Sequence, residues 1–259
     1  MLRTKQFLLT WSLVCLAGLF IFSGKLLAAP LTIVDIDFEN FTINGGNQAR
    51  LSYQAFDMDL LPPGTELYSD RPNDFNINLR KQPNNINTNN TLGLGFQNAF
   101  QSGNFLVLGD NSGTIGNNPI WGTFWMDIPF MVPSGASFIT IGYQYAFGGS
   151  DVIASSADAF LSSINIGNQV VMPLQNQQSI TSTNGFLETG FFATTLAVAN
   201  LPQSSLSLRL QLNEGRYIPT NSALGLDNIQ ITAIPEPSTL LLLGAGLLSL
   251  ALIRRRQRT

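Results

Sequence analysis

Two runs of almost unbroken apolar residues, 7–22 and 240–253, flank a long middle in which short apolar stretches alternate with turn-forming clusters. Runs rich in β-branched and aromatic residues recur there at 31–41, 51–56, 105–108, 120–130, 138–147, 159–166, 190–198, 206–212 and 224–233, separated by Gly, Asn and Pro. A period of two is clearest at Leu206, Leu208, Leu210 and Leu212, with Ser207, Arg209 and Gln211 between them. Such alternation turns one strand face to a core and the other to water. No amphipathic helix stands out, so the pattern predicts one all-β sandwich over residues 30–233. Residues 73–90 hold eight asparagines and predict long, turn-rich loops.

Composition narrows the chemistry. Of 259 residues 44% are apolar and 11% charged, which excludes a disordered tail protein. The chain has no histidine, so His-based triads, helical His-Glu-x-x-His zinc sites and imidazole bases are all absent. Its one cysteine, Cys15, lies in the first apolar run, which leaves the sandwich without disulfide, thiolate metal site or thiol nucleophile. The middle carries six basic against fifteen acidic residues, a surplus of nine negative charges, and nucleic acid is not a partner for it.

Both ends read as processing signals. Arg3 and Lys5 precede the apolar run Phe7 to Phe22, and Leu26-Leu27-Ala28-Ala29 follows. This is the pattern of a secretory signal peptide over 1–29, cut by signal peptidase after Ala28 or Ala29, with an uncleaved anchor helix as the alternative. Residues 234–259 run Ile234-Pro235-Glu236-Pro237-Ser238-Thr239, then Leu240 to Ile253, then Arg254, Arg255, Arg256, Gln257 and Arg258. As a helix the run spans about 21 Å against a hydrocarbon core of roughly 30 Å. The arginines hold its far end on the cytoplasmic side, so a short, single transmembrane helix with a rigid Pro-x-Pro collar is expected.

Tripeptide, short helix and basic end together resemble the PEP-CTERM sorting signal of Gram-negative bacteria. The resemblance implies an exosortase-type membrane protease or transpeptidase as partner. It places recognition on Pro235, Glu236 and Pro237, a transient inner-membrane anchor on Leu240 to Ile253, and the membrane stop on Arg254, Arg255, Arg256 and Arg258. The protein would then pass to the cell surface or an exopolysaccharide biofilm matrix. Three fragments, Asp35 to Glu39, Ser137 to Phe147 with Asp158 to Phe160, and Leu206 to Leu212 with Leu226 to Ile231, resemble jelly-roll ectodomains similar to carbohydrate-binding modules. That resemblance implies a jelly-roll-like sandwich, extracellular polysaccharide as a partner, and a structural calcium ion joining the first and last strands through Glu39 and Asp227, with Asp37 as a further ligand.

Two clusters admit more than one reading. On a strand, Asp35, Asp37 and Glu39 would share one face, either as a solvated polar surface or as oxygen ligands for a hard cation. The same stretch nearly matches the Glu-x-Asp-x-Glu strand of laminarinase-type glycoside hydrolases, with Asp35 one methylene shorter than the first Glu. A non-enzymatic protein is expected, with that hydrolase, or a matrix protein without ligand, as the alternatives. Trp121 and Trp125, four apart, would share a strand face with Thr123 between them. They suit stacked sugars, but Ile120, Phe124, Met126 and Ile128 opposite favour packing in the core.

Overall fold

The computed structural model describes residues 29–43, 50–70, 77–81, 100, 103–109, 122–149, 158–178, 186–202, 204–214 and 222–236, with Gly244, Gly246, Leu247 and Leu250. The strands are β1 (Leu31–Ile36), β2 (Arg50–Ser52), β3 (Glu66–Ser69), β4 (Ile77–Lys81), β5 (Asn104–Gly109) and β6 (Gly122–Phe130). They continue as β7 (Ala136–Gly149), β8 (Ala159–Ile166), β9 (Gln169–Gln178), β10 (Phe186–Ala197), β11 (Leu206–Glu214) and β12 (Ser222–Pro235). One antiparallel sheet runs β10-β7-β12-β5-β4-β2 with β1 also on β12, and the other runs β3-β6-β11-β8-β9.

The alternation read from the sequence decides what lies between the sheets. On β11, Leu206, Leu208, Leu210 and Leu212 are fully buried, and on β6 the inward set is Phe124, Met126, Ile128 and Phe130. They meet Ile139, Ile141, Tyr143 and Phe147 of β7 and Leu226, Ile229 and Ile231 of β12. Each such side chain contributes about 1.5–3 kcal/mol on leaving water. The seven-stranded sheet is also covered behind β5 by a second small cluster of Phe100, Phe105, Val107, Ala146 and Ala223. Every residue of β5 is therefore buried, which is why its sequence reads as a continuous apolar run.

One polar group crosses the core. Tyr143 stacks on Phe192 with ring centroids 4.9 Å apart and places its Oη 2.7 Å from both Gln175 Oε1 and Ser162 Oγ. The amide oxygen can only accept, so the phenol proton goes to Gln175 and the serine hydroxyl donates to Tyr143. Burial pushes the phenol well above its ordinary range, and it stays a neutral tie between the sheets.

Four local expectations are corrected. The asparagine-rich stretch contains β4, whose Ile77 and Leu79 are fully buried while Asn78 and Arg80 are covered on the other face. A five-residue strand hidden on both sides leaves little alternation to read. Past Ile36 the chain does not continue as a strand to Phe41, because Phe38 adopts φ +57° and turns it. Only Arg50–Ser52 of the next run is strand, followed by a 3-10 turn at Tyr53–Ala55. Strands β3 and β9 were not foreseen either. β9 carries Pro173, acceptable because β9 is an edge, and follows β8 through Gly167-Asn168 with Gly167 at φ +54°.

Candidate functional site

The strand β12 is paired along one side by β7, but its other side is shared: β5 covers Ala223 to Leu226 and β1 covers Ile229 to Ala233. At the seam the register against β7 shifts after Asp227, and Asn228 takes φ +49°. The chain leaving β1 fills the gap. Glu39 Oε1 accepts from the Asn104 amide at 2.9 Å, and Asn104 Nδ2 donates to the carbonyls of Phe38 and Phe41 at 3.1 and 2.9 Å. Gly103, at φ +94°, is required there, since a Cβ would fall on the Glu39 carboxylate.

This seam brings Asp37, Glu39 and Asp227 into electrostatic reach of one another. Asp227 is 4% exposed. Burial pushes its carboxyl up to about 7, against the hydrogen bond from the Asn228 amide, and the charges of Glu39 and Asp37 push it further the same way. The donor set is wholly hard oxygen, which suits calcium and not a soft metal. Its oxygens are partly spent, however: Asp37 Oδ1 accepts from the Glu39 amide at 3.1 Å, and Asp227 takes Asn228 N and Nδ2 at 2.8 and 3.2 Å. Among the described residues no three His, Cys, Asp or Glu side chains converge as a metal site. The donor chemistry fits an ion and the side-chain geometry does not converge on one. Asp35 stays apart on β1, exposed, accepting from Gln230 at 3.1 Å. The three carboxylates thus do not share a strand face, because Glu39 lies beyond the turn at Phe38.

The second place is the outer face of the five-stranded sheet. Register aligns Tyr68, Trp125, Gln211, Leu161 and Asn176 in one row, with Glu66, Asp127, Arg209, Ser163 and Pro173 in the next. Trp125 is half-buried and points away from the core, against the core reading. Tyr68 stacks on it at 5.0 Å, and the Arg209 guanidinium lies over it at 4.3 Å. Because β6 stands between β3 and β11, these neighbours reach the indole from opposite sides. The outer face of β6 carries Thr123, Trp125, Asp127 and Pro129, so the indole belongs to this surface ladder and not to a second buried face. Arg209 also pairs with Asp127 at 2.5 Å and donates to Asn168 at 3.2 Å. Asp127 Oδ1, Arg209 Nε and Asn165 Nδ2 are buried without a hydrogen-bond partner among the described residues. Beside them Gln211 donates to Asn213 at 2.7 Å. Trp121 lies outside the described residues. The sequence reading passed over Tyr68, whose strand has only four residues, and Arg209, although the alternation of β11 already put it outside.

At the chain exit, Pro235 closes β12 opposite Ala136, and the Glu236 amide donates to the Gly135 carbonyl at 3.0 Å. The sheet therefore continues across the boundary drawn at residue 233. Pro237, Arg254, Arg255, Arg256, Arg258 and residues 1–28 lie outside the described residues. Gly244, Gly246, Leu247 and Leu250 are helical, with both leucines exposed and open space around both glycines. Among the described residues no helix is long and apolar enough to cross a membrane.

Residues 233–256 match the family model of the PEP-CTERM protein-sorting motif. The chain carries the sorting signal of exosortase substrates, and the motif implies processing by exosortase, a membrane protein. No curated protein matches the sequence. Among solved structures, a stig cyclase from Fischerella sp. TAU is 15% identical, covering 80% of this chain and 99% of its own, at TM-score 0.45. The CBM22-1 xylan-binding domain of Xyn10C from Paenibacillus barcinonensis is 14% identical over 80% of this chain and 97% of its own, at TM-score 0.33. TmCBM61, in complex with β-1,4-galactotriose, is 8% identical over 65% and 88%, at TM-score 0.35. At these scores the likenesses decide neither fold nor ligand.

Proposed function

We propose that this is an exported, non-catalytic protein, handed to an exosortase by its tail, whose jelly-roll-like sandwich binds polysaccharide at the cell surface or in a biofilm matrix. Residues 1–29 act as its signal peptide, and 240–253 hold it transiently in the inner membrane until cleavage near Pro237. The sorting half rests on the motif at 233–256. The binding half rests on one observation, the row of Tyr68, Trp125 and Gln211 on an outer sheet face. Tyr68 is 42% exposed, so the ring face turned away from Trp125, at the β3 edge of the sheet, can take the apolar face of a sugar. Trp125, covered on both sides, buttresses Tyr68 and does not itself stack a sugar. Retardation of the protein in polysaccharide-containing gels, lost in Tyr68→Ala, supports the reading; equal mobility of both proteins across a panel of bacterial exopolysaccharides and β-glucans overturns it.

At the seam we propose a structural and not a catalytic role: a calcium ion there, for which Glu39, Asp227 and Asp37 would have to turn toward one point, would lower the mutual repulsion of these carboxylates. Hydrolysis is the rival reading of the same acids. Glu39 is already committed to the Asn104 amide, and Asp35 is separated from it by a turn, which favours structure over turnover. β-Glucan hydrolysis lost on Glu39→Gln would reverse that preference.

A further inference from the structure

The strand directions gather several features at one end of the sandwich. There β12 exits at Pro235, β1 begins at Leu31, and three connections turn, 131–135 between β6 and β7, 167–168 between β8 and β9, and 198–205 between β10 and β11, while a fourth, 53–65 between β2 and β3, reaches it at Gly64 against Pro129. Leu31 pairs with Ala233, Phe138 with Ile234, and Phe130 with Leu206, which sets these levels side by side. Five of the large apolar side chains exposed on the sandwich stand here: Met131 at 72%, Leu31 and Val170 at 54%, Phe138 at 44% and Ile166 at 37%. The first three connections read Met-Val-Pro-Ser-Gly, Gly-Asn and Val-Ala-Asn-Leu-Pro-Gln-Ser-Ser, without a single charge. The charges around them are Asp57 and Asp59 on 53–65, Glu66, the Asp127–Arg209 pair, which neutralises itself and reaches Asn168, and Glu236 on the exit.

The tether fixes what this end faces. Glu236 is hydrogen-bonded to the sandwich, and only residues 237–239 separate it from the apolar run starting at Leu240. Three extended residues reach about 10–11 Å. If the run enters a bilayer, as the proposed function holds, the end that carries Glu236 cannot stand clear of the headgroups. Exposed apolar side chains are common singly, but five of them gathered beside three uncharged connections are costly in water and suited to the headgroup–acyl boundary, with Glu236 and the acids of 53–65 at the headgroup level.

We infer that the exit end of the sandwich is a lipid-facing surface: Met131, Leu31, Phe138, Ile166 and Val170 rest on the membrane while the tail is embedded. The inference rests on the membrane placement of the tail. Seating the domain this way holds Pro235 and Glu236 at a fixed height over the bilayer, where a membrane protease can reach the segment that follows. It also turns the opposite end, and the side bearing Tyr68, outward.

The test uses the full chain with Cys15→Ser, carrying single cysteines labelled with an environment-sensitive fluorophore, in vesicles of phosphatidylethanolamine and phosphatidylglycerol containing nitroxide-labelled lipid. Met131→Cys, Phe138→Cys and Val170→Cys are expected to show a blue shift and loss of emission, while Asn213→Cys toward the far end keeps its signal. Leu247→Cys reports the tail separately. Quenching at 247 with none at 131, 138 and 170 overturns the lipid-facing surface while leaving the anchor intact. No quenching at 247 overturns the anchor, and this inference with it. A response at 131, 138 and 170 that is the same without vesicles and rises with protein concentration identifies a self-association face and also overturns it.

Discussion

Asp127 and Asp227 are both almost wholly buried, one in each sheet, and they meet opposite surroundings. Asp127 has Arg209 at 2.5 Å, an indole beneath that arginine, and Asn168 beyond it. Among the described residues, the charges that act on Asp227 are the like charges of Glu39 and Asp37, and with burial they push its carboxyl up to about 7. The first place is closed electrostatically and can meet a neutral, hydroxylated ligand without a net field. The second is held together by amides and strained by like charge, so that it gains from a proton or from a cation. The proposed sugar site and the proposed ion site therefore fall on different sheets of the same sandwich.

Breaking the closed side is expected to cost most. Arg209→Leu leaves the Asp127 carboxylate buried without its counter-ion and removes the cover over Trp125, and a loss of about 3–5 kcal/mol is expected by chemical denaturation. Asp127→Leu in the same background should recover much of it, because the buried charge is then gone. A loss below about 0.5 kcal/mol for Arg209→Leu would place the pair among surface ion pairs of little weight.

The open side should respond with the opposite sign. The folded carboxyl of Asp227 titrates near 7 against an ordinary 3.8, so the folded state holds the proton more tightly than the unfolded chain. The stability carried by that proton is complete below about pH 4 and is lost as pH rises through about 7. Asp227→Asn keeps the size and removes the charge. In EDTA at pH 8 it should stabilise the protein on the order of 2 kcal/mol, after weaker hydrogen bonds to Asn228 are set against the relieved repulsion, and near pH 4 it should do almost nothing. In millimolar calcium the same substitution should destabilise instead, if the ion binds. Parallel melting curves in both media would leave the seam as a repulsive cluster only.

These two aspartates also mark what a reader of the sequence could and could not find. Strands with a clear period or apolar run were legible: β8 and β11 fall where alternation or β-branched runs put them, and Arg209 and Gln211 followed as outward residues. Strands hidden on both faces, such as β4 among its asparagines, gave no period to read. The ladder at Trp125 was misassigned to the core because a large aromatic opposite Phe124, Met126 and Ile128 reads in sequence as a second buried side, and its cover comes from Tyr68 and Arg209 on other strands. The link from Asp37 and Glu39 to Asp227 spans nearly the whole sandwich in sequence. Only the resemblance to jelly-roll ectodomains suggested it, since its physical cause, β1 and β5 sharing one side of β12, is a matter of topology.

A binding measurement sharpens the contrast on the closed side. Tyr68→Ala removes the exposed ring but neither member of the Asp127–Arg209 pair, so stability should change by less than about 1 kcal/mol while polysaccharide affinity falls by about 1–3 kcal/mol, some five- to hundredfold. Affinity electrophoresis with Asp227→Asn as control separates the sheets: that variant should bind as wild type does. Equal losses in both would mean that the seam and the outer face do not act independently.

The smallest expected effect separates screening from ion binding. Monovalent salt weakens repulsion between exposed charges over a Debye length of about 10 Å at 0.1 M and reaches buried groups less. At pH 8 in EDTA, sodium chloride should thus raise the melting temperature only slightly, by easing Asp37 and Glu39 against Asp227. At pH 5, where Asp227 holds its proton, that part of the response should vanish. The Asp127–Arg209 pair is attractive, so screening it lowers stability, and relief of the general negative surplus persists at pH 5, so the seam is reported by the part of the rise present at pH 8 and gone at pH 5. Calcium chloride at matched ionic strength then decides the matter. A rise larger than that from sodium chloride, absent in Asp227→Asn, requires a site for the ion, whereas equal rises for the two salts reduce the seam to three carboxylates that the fold of β12 forces together.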